Sequence, residues 1–217
     1  MTDFLERRRV MVDTQVRPSD VTKFPIIDAM LNVPREDFVP TARREAAYIG
    51  ENLDLMPGRC VLEPRTLAKM LDALAIQPDA LVLDVGAGLG YSSAVIARMS
   101  AAVIALEEDE RLAAEAQDAL MTAGADNVIV HHGPLAEGAP EHGPYDVIVV
   151  QGAVEQMPGA ITGQLKDGGR IISLFATGAL GEARLGVKSG ERVSWRMVFN
   201  AGAPVLPGFA AAHEFSL

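Results

Sequence analysis

The stretch VLDVGAGLGY at 82–91 sets an acid, Asp84, two places ahead of glycines at alternate positions, Gly86, Gly88 and Gly90. Ala87 lies inside the turn and Tyr91 closes it. Glycines at this density let a ligand come close to the backbone. An apolar strand that feeds such a turn and then a helix is the ligand-binding end of a doubly wound sheet. Two phosphate-binding patterns fail here. The dinucleotide fingerprint G-x-G-x-x-G would need glycine or alanine where Tyr91 stands, and a P-loop would need Gly-Lys-Ser/Thr. Asp84 would repel a bound pyrophosphate and suits a ligand that carries positive charge. S-adenosyl-L-methionine has an ammonium and a sulfonium and no phosphate. Glu107 ends the next expected strand, 23 residues after Asp84. An acid at that strand tip can accept both hydroxyls of an adenosyl ribose. NAD would use the same acid, so the pointer is the combination of Asp84, the glycine turn and Glu107.

These residues need a sheet to hold them. Short apolar runs at 80–85, 103–107, 127–131, 146–150 and 170–175 read as strands, with helical segments near 91–99 and 109–122 between the first three. That alternation means an α/β fold with a mostly parallel sheet covered on both faces. The stretch ARLGVKSGERVSWRMVFN reads as an antiparallel hairpin about Ser189–Gly190, with Trp195 packing in it. Before Pro78 the pattern is helical instead: a capped helix from Asp3 to Pro18, a second over 25–32, a third near 41–48 and a fourth over 64–76, with loop and short-strand signals at 50–62. The chain therefore divides into a helical region, 1–77, and a sheet region, 78–217.

Bulk properties narrow the function classes. The net charge of −10 is uneven, −1 over 1–77 and −9 over 78–217, and such a surface disfavours a nucleic-acid partner. No apolar run nears the ~20 residues of a membrane span. The N-terminus has no secretory h-region, and with a single cysteine, Cys60, there is no internal disulfide, so a cytoplasmic location is expected. His131 and His132 are neighbours on a strand and face opposite ways, so no metal site is expected from them. Nothing in the residues specifies an oligomeric state.

Beyond the glycine turn, several segments resemble the protein-L-isoaspartate O-methyltransferases. AMLNVPREDFVP at 29–40 is similar to that family's Ala-Met-x-x-Val-Pro-Arg-Glu-x-Phe-Val-Pro segment, and MVDTQV at 11–16, PYDVIVV at 144–150 and QLKDGGRII at 164–172 match in order. The resemblance implies a Rossmann-like class I methyltransferase fold and S-adenosyl-L-methionine as cofactor. It also implies isoaspartyl residues of damaged peptides and proteins as acceptor. Methylation of the abnormal carboxylate lets the chain close to a succinimide, which can reopen as aspartate. On this resemblance Asp84, Gly86, Ala87, Gly88, Gly90, Tyr91, Glu107 and Gly133 line the cofactor, and 1–77 lies on the substrate side.

Two segments depart from the family pattern. Gly-x-Thr-Ile-Ser-x-Pro is the usual sequence where this chain reads GRCVLEP, 58–64, so Cys60 takes the threonine place and Leu62 the serine place. The usual Gly-Asp-Gly after the third strand is GPL, 133–135, and Pro134 removes an acid expected near the adenine. The resemblance gives the missing serine hydroxyl a part in holding the substrate carboxylate. A carboxylate acceptor is already ionised at neutral pH, so transfer needs alignment and no general base. Loss of one positioning hydrogen bond costs roughly 1–3 kcal/mol. Arg59 and Arg65 flank the segment, and an arginine can grip a carboxylate bidentately. The acceptor-side candidates are therefore Arg59, Cys60, Leu62 and Arg65. Two other functions remain open: a relative that methylates another carboxylate, and a protein that binds the cofactor without transfer.

Overall fold

A computed structural model describes residues 3–177 and 180–211. Helix α1, Phe4–Met11, begins at Asp3, whose carboxylate accepts from the Glu6 N–H. The expected single helix to Pro18 instead passes through a π turn at Val12–Val16 into a 3-10 turn at Arg17–Ser19. Helix α2 spans Phe24–Asn32, and the third expected helix is only a 3-10 stretch, Thr41–Ala46. Strands β1, Leu53–Met56, and β2, Arg59–Val61, form a small antiparallel hairpin, followed by helix α3, Pro64–Leu74.

The main sheet follows: β3 Leu81–Val85, α4 Tyr91–Ala97, β4 Ala102–Glu107, α5 Glu110–Thr122, β5 Val128–His132, β6 Tyr145–Val154, α6 Gly159–Gly163, β7 Leu165–Thr177, β8 Leu180–Ser189 and β9 Arg192–Asn200. The order in space is β5-β4-β3-β6-β7-β8-β9. Strands β3 to β7 run parallel, and β8 and β9 add the antiparallel hairpin expected from the Ser189–Gly190 turn. The fold class is thus the one the strand–helix alternation predicts. Strand β6 runs four residues past the expected end at Val150, because residues 204–206 pair with it: Ala153 donates to the Pro204 carbonyl and Leu206 to the Ala153 carbonyl.

Period-two alternation splits the sheet between two cores. Val82, Val103, Val147, Val149 and Ile172 face a core shared with α2, α3, α4 and α5. Leu83, Val85, Ile104, Leu106, Ile148 and Val150 face a second core closed by Leu135, Ile161, Leu206 and Phe209. The first core takes in Met11, Ile26, Leu67 and Leu71, so residues before Pro78 pack directly on the sheet.

Polar side chains lock the N-terminal region. Arg35, fully buried, donates from Nε to the Ala47 carbonyl at 2.7 Å and from Nη2 to the Leu62 carbonyl at 2.8 Å, and its guanidinium lies 4.6 Å from the Tyr91 ring centre. Glu36 accepts from Arg8, which also donates to the Tyr48 hydroxyl; that hydroxyl in turn donates to Glu36. The Pro-Arg-Glu of 34–36 therefore clamps two loops onto α4. Arg35→Ala leaves two buried carbonyls unpaired and should lower stability by about 3 kcal/mol. Urea unfolding checks this; a loss under about 0.5 kcal/mol, the range of an ordinary surface change, would contradict the clamp.

Candidate functional site

Strand β3 ends at the glycine turn, and all three glycines have left-handed φ: +80° at Gly86, +60° at Gly88 and +92° at Gly90. The Gly86 and Ala87 N–H groups both donate to the Leu106 carbonyl, at 2.9 and 3.1 Å, which ties the turn to β4. Asp84 sits just before the turn, fully buried. Its Oδ2 accepts from the Ser92 and Ser93 hydroxyls, each at 2.6 Å, and its Oδ1 from the Gln151 amide at 2.7 Å. Burial pushes this carboxyl above the usual carboxylate range, and the three side-chain hydrogen bonds oppose the shift. Asp84 was expected to face the ligand's positive charge. These contacts join it to the start of α4 and the middle of β6, as a buried carboxylate needs donors.

Glu107, at the tip of β4, is also fully buried. Its Oε1 accepts from the Glu108 and Asp109 N–H groups at 2.9 and 3.0 Å, and its Oε2 from the Gly88 N–H at 2.7 Å. The same two oxygens take a bidentate contact from Arg59 on β2, with Nη1 on Oε1 at 2.6 Å and Nη2 on Oε2. The Arg59 and Glu107 side chains are 3% and 1% exposed. Arg59, expected on the acceptor side, is therefore engaged at the acid expected for the ribose.

Arg59 also covers the glycine turn. A Cβ built on Gly86 would lie 3.5 Å from Arg59 Nη2 and 3.4 Å from Leu206 Cδ1. A Cβ on Gly88 would stand 2.6 Å from Leu55 Cδ1, and one on Gly152 2.6 Å from Leu206. Three segments thus meet over the turn: β1 through Leu55, β2 through Arg59 and the 204–209 segment through Leu206.

The other candidates lie elsewhere. Leu62 is 2% exposed inside the first core, and Cys60 is buried beside it, its thiol pushed up to about 11 by burial. An isobutyl group gains about 2 kcal/mol by turning inward, which a serine hydroxyl would not. Arg65 is half-exposed and pairs with Glu63 at 3.4 Å. Tyr91 is buried against Phe38 and Arg35. Gly133 donates to the Glu107 carbonyl at 3.1 Å, which places the start of the GPL segment beside the same acid. Trp195 packs edge-on against Phe175.

Two further features were not foreseen from the sequence. Gln151, the third donor on Asp84, follows a strand whose expected end was one residue earlier. His131, Glu141 and His142 bring three donor atoms within 4.8 Å of one another, since the 140–142 turn returns to β5. His131 pairs with Glu141 at 3.4 Å and stacks edge-on with His142. His132 makes a different contact, with its Nε2 3.0 Å from the Glu108 carbonyl.

In kind, the turn and Glu107 fit an adenosyl group. Positions without Cβ at Gly86 and Gly88 would let it approach the backbone once Arg59, Leu55 and Leu206 give way, and Glu107 has two acceptor oxygens held by three backbone N–H groups. No phosphate-gripping residue stands at the turn.

Comparison with known proteins agrees with this geometry. The family described as Protein-L-isoaspartate(D-aspartate) O-methyltransferase (PCMT) matches residues 7–183. A protein-L-isoaspartate O-methyltransferase of Roseiflexus castenholzii is 38% identical over 170 residues, 78% of each chain. A second, from Anaeromyxobacter sp., is 38% identical over 180 residues, 83% of this chain and 73% of that protein. A solved protein-L-isoaspartate O-methyltransferase superposes with a TM-score of 0.80 at 24% identity, over 95% of this chain and 66% of that one. A putative enzyme of the same kind from Plasmodium falciparum, in complex with S-adenosyl-L-homocysteine, gives 0.79 at 19% identity over 95% and 99%. The last two speak for the fold, and the family match and the sequence relatives settle the rest: the chain belongs to the protein-L-isoaspartate O-methyltransferase family.

Proposed function

We propose that this chain is an S-adenosyl-L-methionine-dependent carboxyl O-methyltransferase that repairs L-isoaspartyl residues of damaged peptides and proteins. One observation carries the reading: within the family-matched residues, three left-handed glycines and a buried strand-tip carboxylate form one cradle. The cofactor, when bound, supplies the methyl group. Gly86 to Gly90 would admit it, Glu107 would accept from its ribose hydroxyls and Gly133 would border its adenine. Asp84 acts as a positioning residue, since it fixes the turn through Ser92, Ser93 and Gln151.

The acceptor is a carboxylate that is already ionised at neutral pH, so this chain need not remove a proton. Its task is to exclude water and align an oxygen with the methyl carbon. Arg59 within the GRCVLEP segment and Arg65 just after it are the cations that can hold such an acceptor; Cys60 and Leu62 are buried in the core. No helix among the described residues is long and apolar enough to cross a membrane. The acidic balance supports an enzyme that acts on peptides and not on nucleic acid, and the single cysteine is in keeping with a cytoplasmic one.

Two measurements test the reading. Methyl transfer to an isoaspartyl peptide, run beside the same peptide with normal aspartate, should proceed on the first alone. Equal rates, or transfer to neither, would contradict the acceptor assignment. Gly88→Val puts a branched side chain at φ +60° and against Leu55. It should weaken S-adenosyl-L-homocysteine binding at least ten-fold by calorimetry. Unchanged affinity would move the cofactor away from this turn.

A further inference from the structure

The ribose carboxylate of the proposed site already has an occupant. Arg59 presents two N–H groups to the two oxygens of Glu107, the arrangement a ribose diol would present with two O–H groups. Both ask for the same pair of acceptors, so they cannot bind together. The glycine turn shows the same exclusion, because Arg59 Nη2 is within 3.5 Å of the space over Gly86 that a ligand would enter. Removal of Arg59 would not strand Glu107. The carboxylate keeps hydrogen bonds from the Gly88, Glu108 and Asp109 N–H groups.

We propose, resting on the functional reading above, that Arg59 is an internal competitor for the cofactor: binding exchanges the Arg59–Glu107 pair for a ribose–Glu107 pair. The displaced guanidinium then grips the acceptor carboxylate. A buried cation that loses its anion needs another, since an unpaired charge in such a place is costly. Arg59 sits in the GRCVLEP segment, and Leu62 there supplies no hydroxyl to an acceptor. The isoaspartyl carboxylate is an anion that must come to this end of the sheet. One residue therefore couples the two ligands: the cofactor frees Arg59, and Arg59 receives the substrate. Coupling of this kind is reciprocal. Cofactor and acceptor should bind with positive cooperativity, and the cofactor alone should bind weakly.

Calorimetry on the full chain with S-adenosyl-L-homocysteine tests this without turnover. Arg59→Gln should bind it at least ten-fold more tightly than the wild type. Arg59→Lys, a point charge with no bidentate fork, should fall between them. A melting curve of each variant shows that it is folded, and Arg59→Lys carries the test if Arg59→Gln does not fold. If the wild type binds and the substitutions leave affinity unchanged or weaker, Arg59 is no competitor and the proposal fails while the functional reading stands. If no folded variant binds, the cofactor reading itself fails and the proposal with it. An isoaspartyl peptide should bind the wild type at least ten-fold more tightly when S-adenosyl-L-homocysteine is saturating, and Arg59→Gln should lose that gain. An equal gain in both proteins would overturn the part given to the freed guanidinium.

Discussion

The ion pair between Arg59 and Glu107 joins the β1–β2 hairpin to the end of the main sheet. Stripping water from two ions costs several kcal/mol for each, and only good geometry offsets it. Here the geometry is bidentate, and three backbone N–H groups hold the carboxylate from the other side. Those three donors come from the glycine turn and from the turn that opens α5, so one carboxylate links β2, β3 and β4. A lone charge on a three-residue apolar strand would not stay buried without such a partner.

The surrounding architecture keeps this end of the sheet narrow. Arg35 ties the Leu62 carbonyl to the 47–48 loop and so fixes the root of the segment that carries Arg59. Asp84 anchors the first residues of α4 to β6 through Gln151, which sets the opening of the glycine turn. On the other flank, residues 204–206 pair with the extension of β6 and bring Leu206 over Gly86 and Gly152. Each contact is a local response to a buried polar group or a bare glycine. Their sum is a glycine turn with this chain's own side chains across it.

Much of this was legible in the sequence because its causes are local. Strand periodicity, the glycine turn, the place of Glu107 at a strand tip and the Ser189–Gly190 hairpin each follow from residues near one another in the chain. What escaped was set by long-range pairing. Arg59 and Glu107 are 48 residues apart, and each was read for a different ligand, the acceptor carboxylate and the ribose. A signal existed in RCV, where an arginine beside a buried cysteine on a short strand calls for an internal acid. Gln151, Leu206 and the clamp by Arg35 left no such trace, because their partners, the Asp84 carboxylate, two glycines and two backbone carbonyls, are brought to them only by the fold. Leu62 was read for what it lacks, a hydroxyl, whereas its place in the core follows from what it has.

The central claim is that one carboxylate serves Arg59 and the cofactor by turns. A crystal structure of the full chain with S-adenosyl-L-homocysteine tests it most directly. The account predicts both ribose hydroxyls on Glu107, the adenosyl group over Gly86 to Gly90, and the Arg59 guanidinium withdrawn from Glu107. A bound ligand with the Arg59–Glu107 pair still closed, or a ligand placed away from the glycine turn, would contradict it.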